Sequence, residues 1–305
     1  MKNIISPIIL FVYNRPIHTR KTLEALQKNE LASESELFIF SDGPKIENDE
    51  NIKKVREYIK TIDGFKSVTI IEREKNLGLA NSVISGVTEI IDKYGKVIVL
   101  EDDIVTSKYF LGFMNEALDF FENDSNIFSI SGFSDKRVEI PSNYKKEIYL
   151  SYRFGSWGWA TWRNCWDKVD WIIKDYDEFL SNKKIRKEFN RGGMDMADML
   201  ISQMDGKIDS WAIRFDYAHF KNNCFNVRPV KSLVSNIGCD GSGVHCGVSE
   251  EYKNDTSDIY CPKLGKIEFN KKIVANFRIL YKKDKPYKKY SIKRFLSKIT
   301  RRIFS

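Results

Sequence analysis

Three carboxylates stand side by side in the stretch VIVLEDDIVTS, residues 97–107. Glu101, Asp102 and Asp103 directly follow four apolar residues, so three like charges lie at the end of a segment that avoids water. Such a cluster is unfavourable unless a cation neutralises it. A divalent metal held by one or two carboxylates, with phosphate oxygens as further ligands, is one arrangement that does so. An acidic turn before a helix is an equally weighted alternative, because the helix dipole favours acids there.

The segments around the acid cluster predict alternating strands and helices. Four apolar runs rich in Ile and Val are typical of strands buried on both faces; they are residues 8–13, 36–42, 67–72 and 96–101. Three stretches between them repeat apolar residues at helical spacing; they are residues 18–29, 51–62 and 80–92. This alternation predicts βαβ units and a parallel sheet. Ligands bind beyond the carboxyl ends of such strands, which is where the three acids fall.

The chain divides by pattern into three parts. Residues 1–105 are typical of a nucleotide-binding α/β half. Residues 106–270 begin with a predicted helix at 107–121 and then mix strand-like and helical stretches. We expect them to form a second half on the same sheet, carrying the acceptor side of a site. Residues 271–305 form a basic tail.

Charge is unevenly distributed along the chain. The net charge is +8, yet residues 271–305 hold 13 Lys or Arg against one acid, so residues 1–270 carry a net charge of −4. Within 288–305, apolar side chains recur at helical spacing among cations, which is typical of a helix in an anionic membrane interface. A helix packed on the domain and a disordered basic end are the alternatives. No stretch approaches the roughly 18 continuous apolar residues of a membrane span.

The cysteines predict a reducing compartment. Their number is five, which is odd, and no two form a Cys-x-x-Cys pair. We therefore expect reduced thiols and a cytoplasmic protein, peripheral at the inner face of the membrane through residues 288–305.

Seven short motifs occur in one order along the chain: LFVYNRP, FSDGP, NLGLANSV, VIVLEDD, SWGWATW, IDSWAIR and GSGVHCG. In that order, over about residues 6–247, the chain resembles the GT-A nucleotide-sugar glycosyltransferases, most closely the branch containing N-acetylglucosaminyltransferase I. The resemblance implies an α/β fold with a mixed, mostly parallel sheet flanked by helices. It also implies metal-dependent, inverting transfer from a UDP-sugar to a glycan or lipid-linked glycan acceptor.

The resemblance implies a different role for each of the three acids. Asp103 would bind the divalent metal, either manganese or magnesium, and Asp102 would approach the ribose. Glu101 would support the turn.

Three further residues match donor-binding positions of the family. Arg15 matches a basic residue that meets the nucleotide, although a surface cation before Pro16 is the alternative. Asp42 matches the acid that recognises the uracil edge, although Asp-Gly is also a common turn sequence. Asn81 stands where the family has a polar residue near the nucleotide.

The catalytic base is the least regular match. IDSWAIR resembles the family's acid-acid-Trp segment, but Ser210 replaces the second acid. A carboxylate within hydrogen-bond reach of an acceptor hydroxyl can take its proton. We assign this role to Asp209, with Asp205 as the alternative and helix capping as the structural explanation for either.

The remaining candidates come from the aromatic and late glycine-rich motifs. Trp157 and Trp159 match a loop that lines the sugar pocket, and packing in the core is the alternative for each. His245 matches a loop that closes on the diphosphate and is a candidate metal or phosphate ligand. We interpret His18 and His219 as structural.

Two other classes of protein remain open. A nucleotidyltransferase also uses an α/β sheet and metal-binding carboxylates, although its glycine-rich phosphate loop is missing from FVYNRPIH. A non-catalytic protein could bind nucleic acid or another anion through the basic tail. Since the family resemblance favours the transferase, we expect no nucleic acid partner.

Overall fold

The first half of the chain folds as alternating strands and helices. The computed structural model describes residues 5–242, 248–256 and 260–281. Its first elements are β1 (Ile8–Val12), α1 (Pro16–Gln27), β2 (Glu36–Ser41), α2 (Glu50–Ile59), β3 (Ser67–Glu72), α3 (Leu79–Tyr94) and β4 (Lys96–Glu101), with a short 3-10 helix at Ala32–Glu34. The four predicted strands and three predicted helices are therefore present, with ends shifted by at most three residues.

The second half adds six strands and seven helices to the described chain. They are β5 (Ile104–Thr106), α4 (Phe110–Phe120), β6 (Ile127–Ser131), β7 (Ile148–Ser151), β8 (Trp159–Trp162), α5 (Arg163–Trp166), α6 (Tyr176–Ser181), α7 (Lys183–Phe189), α8 (Met196–Met204), α9 (Trp211–Lys221), β9 (Phe225–Pro229), β10 (Val234–Asn236) and α10 (Lys271–Leu280), with a 3-10 helix at Asn190–Gly192. The part of the tail from residue 282 onward, including the predicted helix at 288–305, lies outside the described residues.

One eight-stranded sheet runs through both halves. Its strand order is β3-β2-β1-β4-β8-β6-β9-β7. The pairs β3/β2, β2/β1, β1/β4 and β6/β9 are parallel, whereas β8 is antiparallel to both β4 and β6. Strands β1, β2, β4, β6 and β9 consequently point the same way, and their carboxyl ends share one edge. The prediction of a mixed, mostly parallel α/β sheet flanked by helices is confirmed.

A two-stranded ribbon leaves this edge directly after the acid cluster. Residues Ile104–Thr106 form β5, which pairs antiparallel with β10. Ile104 is fully buried, and its strand pairs with β10. The helix predicted at 107–121 follows the ribbon as α4, Phe110–Phe120. The ribbon therefore ties the turn after β4 to a segment more than 120 residues later in the chain.

The core explains why these strands form. All five residues of β1 are buried, and one contiguous apolar cluster extends from β1 through β4 and α4 to the second-half strands. Burial of apolar side chains contributes about 25 cal/mol per Å² and dominates the stability of such a sheet. In the part of the chain that the structure describes, no helix is both long and apolar enough to cross a bilayer.

The thiols differ from one another. Cys165, Cys224 and Cys261 are free. Cys239 is disulfide-bonded, so the expectation of five reduced thiols is wrong at this position.

Candidate functional site

The acid cluster lies in a tightly held turn at the carboxyl edge of the sheet. The hydroxyl of Thr22 on α1 donates to the carbonyl of Asp102 at 2.8 Å, and the amide of Ile237 donates to the carbonyl of Asp103 at 2.9 Å. The amide of Tyr13 donates to a carboxylate oxygen of Asp102 at 3.4 Å. Thr22 and Ile237 thus hold the backbone of the turn, and Tyr13 holds the Asp102 carboxylate.

Arg15 supplies the principal positive charge against the cluster. It precedes Pro16, which begins α1 and fixes the direction in which the helix leaves β1. Its Nη1 lies 2.8 Å from Asp103 Oδ2 and 3.6 Å from Asp102 Oδ1. Its Nη2 lies 3.1 Å from Ser242 Oγ. Arg15 therefore joins the acid cluster to a late loop.

One arginine does not balance this cluster. Burial, together with the charge of Asp103, raises the pKa of both Glu101 and Asp102 above the usual carboxyl range, and the nearby Arg15 lowers them only in part. A raised carboxyl pKa means that the site disfavours the full negative charge of its acids. An added cation would relieve that penalty.

A late segment contributes residues that the sequence did not identify as site residues. Gly238 lies so close to Asp103 that a Cβ there would stand 1.9 Å from Asp103 Oδ2. Asp240 pairs with His18 on α1, with 3.0 Å between Oδ2 and Nε2. Hydrogen bonds from the hydroxyl and amide of Ser242 hold the pKa of Asp240 well below its usual range. The available signal in the sequence is the glycine-rich run GCDGSGVHCG, which contains Asp240.

Asp42 organises the loop beside the acid cluster. It follows β2 at the same edge, and its carboxylate accepts hydrogen bonds from the amides of Gly43, Leu77 and Gly78 at 3.0 to 3.2 Å. Asn76 closes the loop by donating to the carbonyl of Gly43 at 2.7 Å. Asp42 therefore shapes the start of α3, because three backbone donors engage its two oxygens.

Asp209 reaches the same loop from the second half. It is exposed, just before Ser210, and a Cβ on Gly78 would lie 3.6 Å from its Oδ2. Ser210 is the N-cap of α9 and accepts from the amide of Ile213, so the serine at the expected base position has a capping role. Asp205 instead pairs with Lys207 at 3.0 Å.

The remaining predicted residues differ in position. Asn81, on the first turn of α3, donates to the carbonyl of Leu77 at 3.1 Å. Trp157 is partly exposed in the loop before β8, where it packs against Phe133 and Tyr252. Trp159 is fully buried inside β8, so its assignment to the sugar pocket is corrected: the side chain packs in the core and has no face open to a ligand.

The histidines separate into different environments. His245 lies outside the described residues. His219 is fully buried; its Nε2 lies 2.7 Å from Ser129 Oγ, and its Nδ1 lies 2.8 Å from the carbonyl oxygen of Phe215. Burial lowers its pKa to about 4, so it is a neutral structural residue.

The donor atoms suit a metal that is shared with a ligand. Among the residues that the structure describes, no group of three or more His, Cys, Asp or Glu is arranged to hold a metal ion by itself. The acid cluster nevertheless provides hard carboxylate oxygens in excess of local positive charge. Mg²⁺ and similar ions commonly bind one or two carboxylates plus substrate phosphates, so the residues fit a metal that arrives with a nucleotide.

Comparison with known proteins identifies the family. The model of the GNT-I family matches residues 1–192 of this chain, which is more than half of it. The chain belongs to the GNT-I family, and the resemblance seen in the motifs is confirmed. The matched region contains Arg15, Asp42, Asn81 and the three acids, whereas Asp209 and Asp240 lie beyond it.

Individual relatives are distant. The chain is 23% identical over 199 residues to an Arabidopsis thaliana alpha-1,3-mannosyl-glycoprotein 2-beta-N-acetylglucosaminyltransferase, covering 60% of this chain and 44% of that protein. The chain therefore spans less than half the length of this curated relative.

Two solved structures are also similar. Mannosyltransferase PcManGT from Pyrobaculum calidifontis, in complex with GDP-Man and Mn²⁺, matches at a TM-score of 0.37 and 14% identity, covering 52% of this chain and 44% of that chain. TarS of S. aureus matches at a TM-score of 0.40 and 13% identity, covering 77% of this chain and 37% of that chain.

Proposed function

We propose that the protein is a glycosyltransferase that moves a sugar from a UDP-sugar to a glycan acceptor with the help of a divalent metal ion. The observation that carries this proposal is the cluster of three adjacent acids, Glu101, Asp102 and Asp103, which faces mainly one arginine, Arg15, in a chain of the GNT-I family. A diphosphate alone would add to that charge, whereas a diphosphate with a divalent cation offsets it.

Donor binding would use the edge where β1, β2 and β4 end. Asp103 would hold the metal, with manganese the expected ion and magnesium an alternative, and Asp102 would meet the ribose. Bound there, the metal would supply Lewis-acid stabilisation of the leaving diphosphate. Arg15 would contact the diphosphate, since its guanidinium already lies between the acids and the late loop.

The loop that Asp42 organises would receive the uracil. The amides of Leu77 and Gly78 are held by the Asp42 carboxylate, so the loop has a defined shape before any ligand arrives. Asn81 is exposed on the first turn of α3, where it would make a polar contact with the nucleotide.

Transfer would proceed as a substitution at the anomeric carbon. The acceptor hydroxyl oxygen forms the new bond, the bond from the anomeric carbon to the phosphate oxygen breaks, and UDP leaves with that electron pair. Asp209 would take the hydroxyl proton, and attack opposite the leaving group inverts the configuration. Both aspartates are exposed, but the closeness of Asp209 to Gly78 supports this role over Asp205, which pairs with Lys207.

The acceptor would bind at the same edge, farther along the sheet. A cavity of about 560 Å³ is lined by residues that follow β6 and β9, including Ser134, Asp135 and Ser232. Trp157 packs against Phe133 near the start of this loop and is partly exposed, so its ring would be available to a sugar. A lipid-linked glycan is the acceptor class that the basic segment 288–305 favours, with the protein peripheral at the inner face of the membrane.

UDP release from a panel of UDP-sugars, with manganese and then with a chelator, tests the proposal. We expect release with at least one donor, loss of release with chelator, and loss in Asp103→Ala. Release of inorganic diphosphate from a nucleoside triphosphate and sugar phosphate, without UDP release, would instead indicate a nucleotidyltransferase.

A further inference from the structure

Helix α10 presents one exposed side that is basic. Ile273 and Phe277 are buried against the domain, whereas Lys271, Lys272 and Arg278 are exposed. The helix contains no acid. At 3.6 residues per turn, its three cations fall on one arc opposite the buried pair.

Exposed apolar side chains lie on and beside the same helix. Ile279 is 58% exposed on the basic side of α10, and Phe269 is 37% exposed just before the helix begins. Met194, 39% exposed, lies at the other end, where its amide donates to the carbonyl of Tyr281. These are three of the nine large apolar side chains exposed among the described residues. We call α10 with Phe269 and Met194 the α10 face.

We propose that the α10 face is a docking surface for an anionic lipid bilayer. Cations around exposed apolar side chains match an interface in which the apolar groups enter the headgroup region and the cations meet lipid phosphates. Glu268 is an exposed acid beside Phe269, but the balance of charge continues in the same sense along the chain. Residues 282–305, which come after α10 in the sequence, carry ten Lys or Arg and one acid.

The α10 face is connected to the acceptor cavity. Asn276 donates to the carbonyl of Glu139 at 2.6 Å, and the hydroxyl of Tyr281 donates to Asp135 at 3.0 Å. Val138 packs with Ile273 and Phe277 in one buried cluster. The loop from Asp135 to Ile140, which lines the cavity, is therefore braced by the inner side of α10.

This arrangement orients the acceptor side of the site. Because a helix with its side chains is about 10 Å across, docking through the outer side of α10 would hold the cavity within roughly that distance of the bilayer. A sugar attached to a lipid could then reach the cavity without leaving the membrane. This second step rests on the proposed function, whereas docking itself does not.

Vesicle co-sedimentation of the full chain tests docking directly. We compare the double variant Lys271→Glu with Lys272→Glu against a control, Lys21→Glu with Lys54→Glu, which changes the net charge equally on exposed positions of α1 and α2. On vesicles with 30% anionic phosphatidylglycerol, the α10 pair should bind at least roughly 30-fold more weakly than wild type, at about 1 kcal/mol per cation near the surface. The control pair should lose much less, and Ile279→Ser should weaken binding without changing its dependence on salt.

Several results would overturn the proposal. They are equal losses for the two charge pairs, no preference of the wild type for anionic over neutral vesicles, or a dimer in solution that only the α10 pair disrupts, which would assign the face to a second copy. UDP release in solution, measured on the same variants, reports the proposed activity separately. Loss of wild-type vesicle binding with retained UDP release would overturn docking but not the proposed transferase activity. Retained vesicle binding without UDP release would overturn the transferase activity but not docking.

Discussion

Two clusters of charged side chains in this molecule differ in the balance between acids and arginines. At the donor edge, three consecutive acids face mainly Arg15, and the pKa of Glu101 and of Asp102 is raised. In the second half, Arg153 pairs with Asp195 through two contacts of 2.8 and 3.1 Å.

In the second-half cluster, both arginines and both aspartates have hydrogen-bond partners within the protein. Arg228, 2% exposed, donates to Ser151 Oγ and to the carbonyls of Phe133 and Arg153 at 3.0 to 3.1 Å. The amide of Phe154 donates to Asp216 at 2.6 Å. Two arginines face two aspartates here, and they link α8, α9 and β9. Burial raises the pKa of Asp216 to about 7, as it does for Asp102, so a raised carboxyl pKa does not separate the two clusters. They differ in the ratio of acids to arginines, which is two to two here and three to one at the donor edge, and the unequal ratio is the one expected where a charged ligand binds.

The largest expected effect is on activity at the unbalanced cluster. Asp103→Ala should lower metal-dependent UDP release on the order of 10³-fold, because stabilisation of the leaving diphosphate is lost. Its thermal midpoint should stay equal to or above that of wild type, because one repelling charge has been removed. Kinetics and calorimetry on the same preparation measure both, and a large fall in stability would mean that the acid serves the fold.

The balanced cluster should respond in the opposite way. Arg153→Met should lower the free energy of unfolding by about 1.5–3 kcal/mol, because Asp195 loses a partner with two hydrogen bonds and the buried Asp216 loses a nearby positive charge. Urea unfolding measures this change. Turnover per folded molecule should stay within about twofold of wild type, and a selective loss of turnover would give Arg153 a role in the reaction.

The assignment of Asp209 as the catalytic base predicts a somewhat smaller loss of activity. Asp209→Asn should reduce transfer by about 10²-fold or more, while donor binding is preserved, since general-base catalysis contributes about 10²–10⁴-fold. Asp205→Asn is the matched control and should change transfer little, because its carboxylate pairs with Lys207. If the two variants lose activity equally, or only Asp205→Asn does, the assignment to Asp209 is wrong.

The buried, neutral His219 provides a test through the pH dependence of stability. His219 has a folded-state pKa near 4 because of burial, against an ordinary value of 6.5, so its stabilising contribution is present above pH 6.5 and is lost as the pH falls toward 4. At pH 5 the cost is about 2 kcal/mol relative to pH 7. His219→Gln should remove that part of the pH dependence in urea unfolding. An unchanged pH profile would show that His219 has the same pKa in the folded and unfolded protein.

The smallest effect concerns packing against the acid cluster. Gly238→Ala would place a Cβ 1.9 Å from Asp103 Oδ2, so the carboxylate must move. We expect about a tenfold loss of UDP release, since small misplacements of site groups cost rate. Gly112→Ala, in helix α4 with open space around the new Cβ, is the control and should retain activity. Equal activity of both variants would show that Asp103 tolerates displacement.

Sequence patterns were informative where the signal is local. The four first-half strands and the place of the acids followed from apolar runs and from the rule that ligands meet strand ends. The buried state of Trp159 was not readable, because a tryptophan beside glycine suits a loop and a core strand equally. Asp240 and His18 could not be paired from sequence, since 222 positions separate them and only the fold brings them to 3.0 Å.

The most direct test of the central claim is calorimetric binding of UDP with and without manganese. If the excess charge at Glu101, Asp102 and Asp103 prepares the site for a cation with its diphosphate, wild type should bind UDP at least about tenfold more tightly with manganese, and Asp103→Asn should lose this gain. The same UDP affinity with and without the metal, or an undiminished gain in Asp103→Asn, would contradict the account.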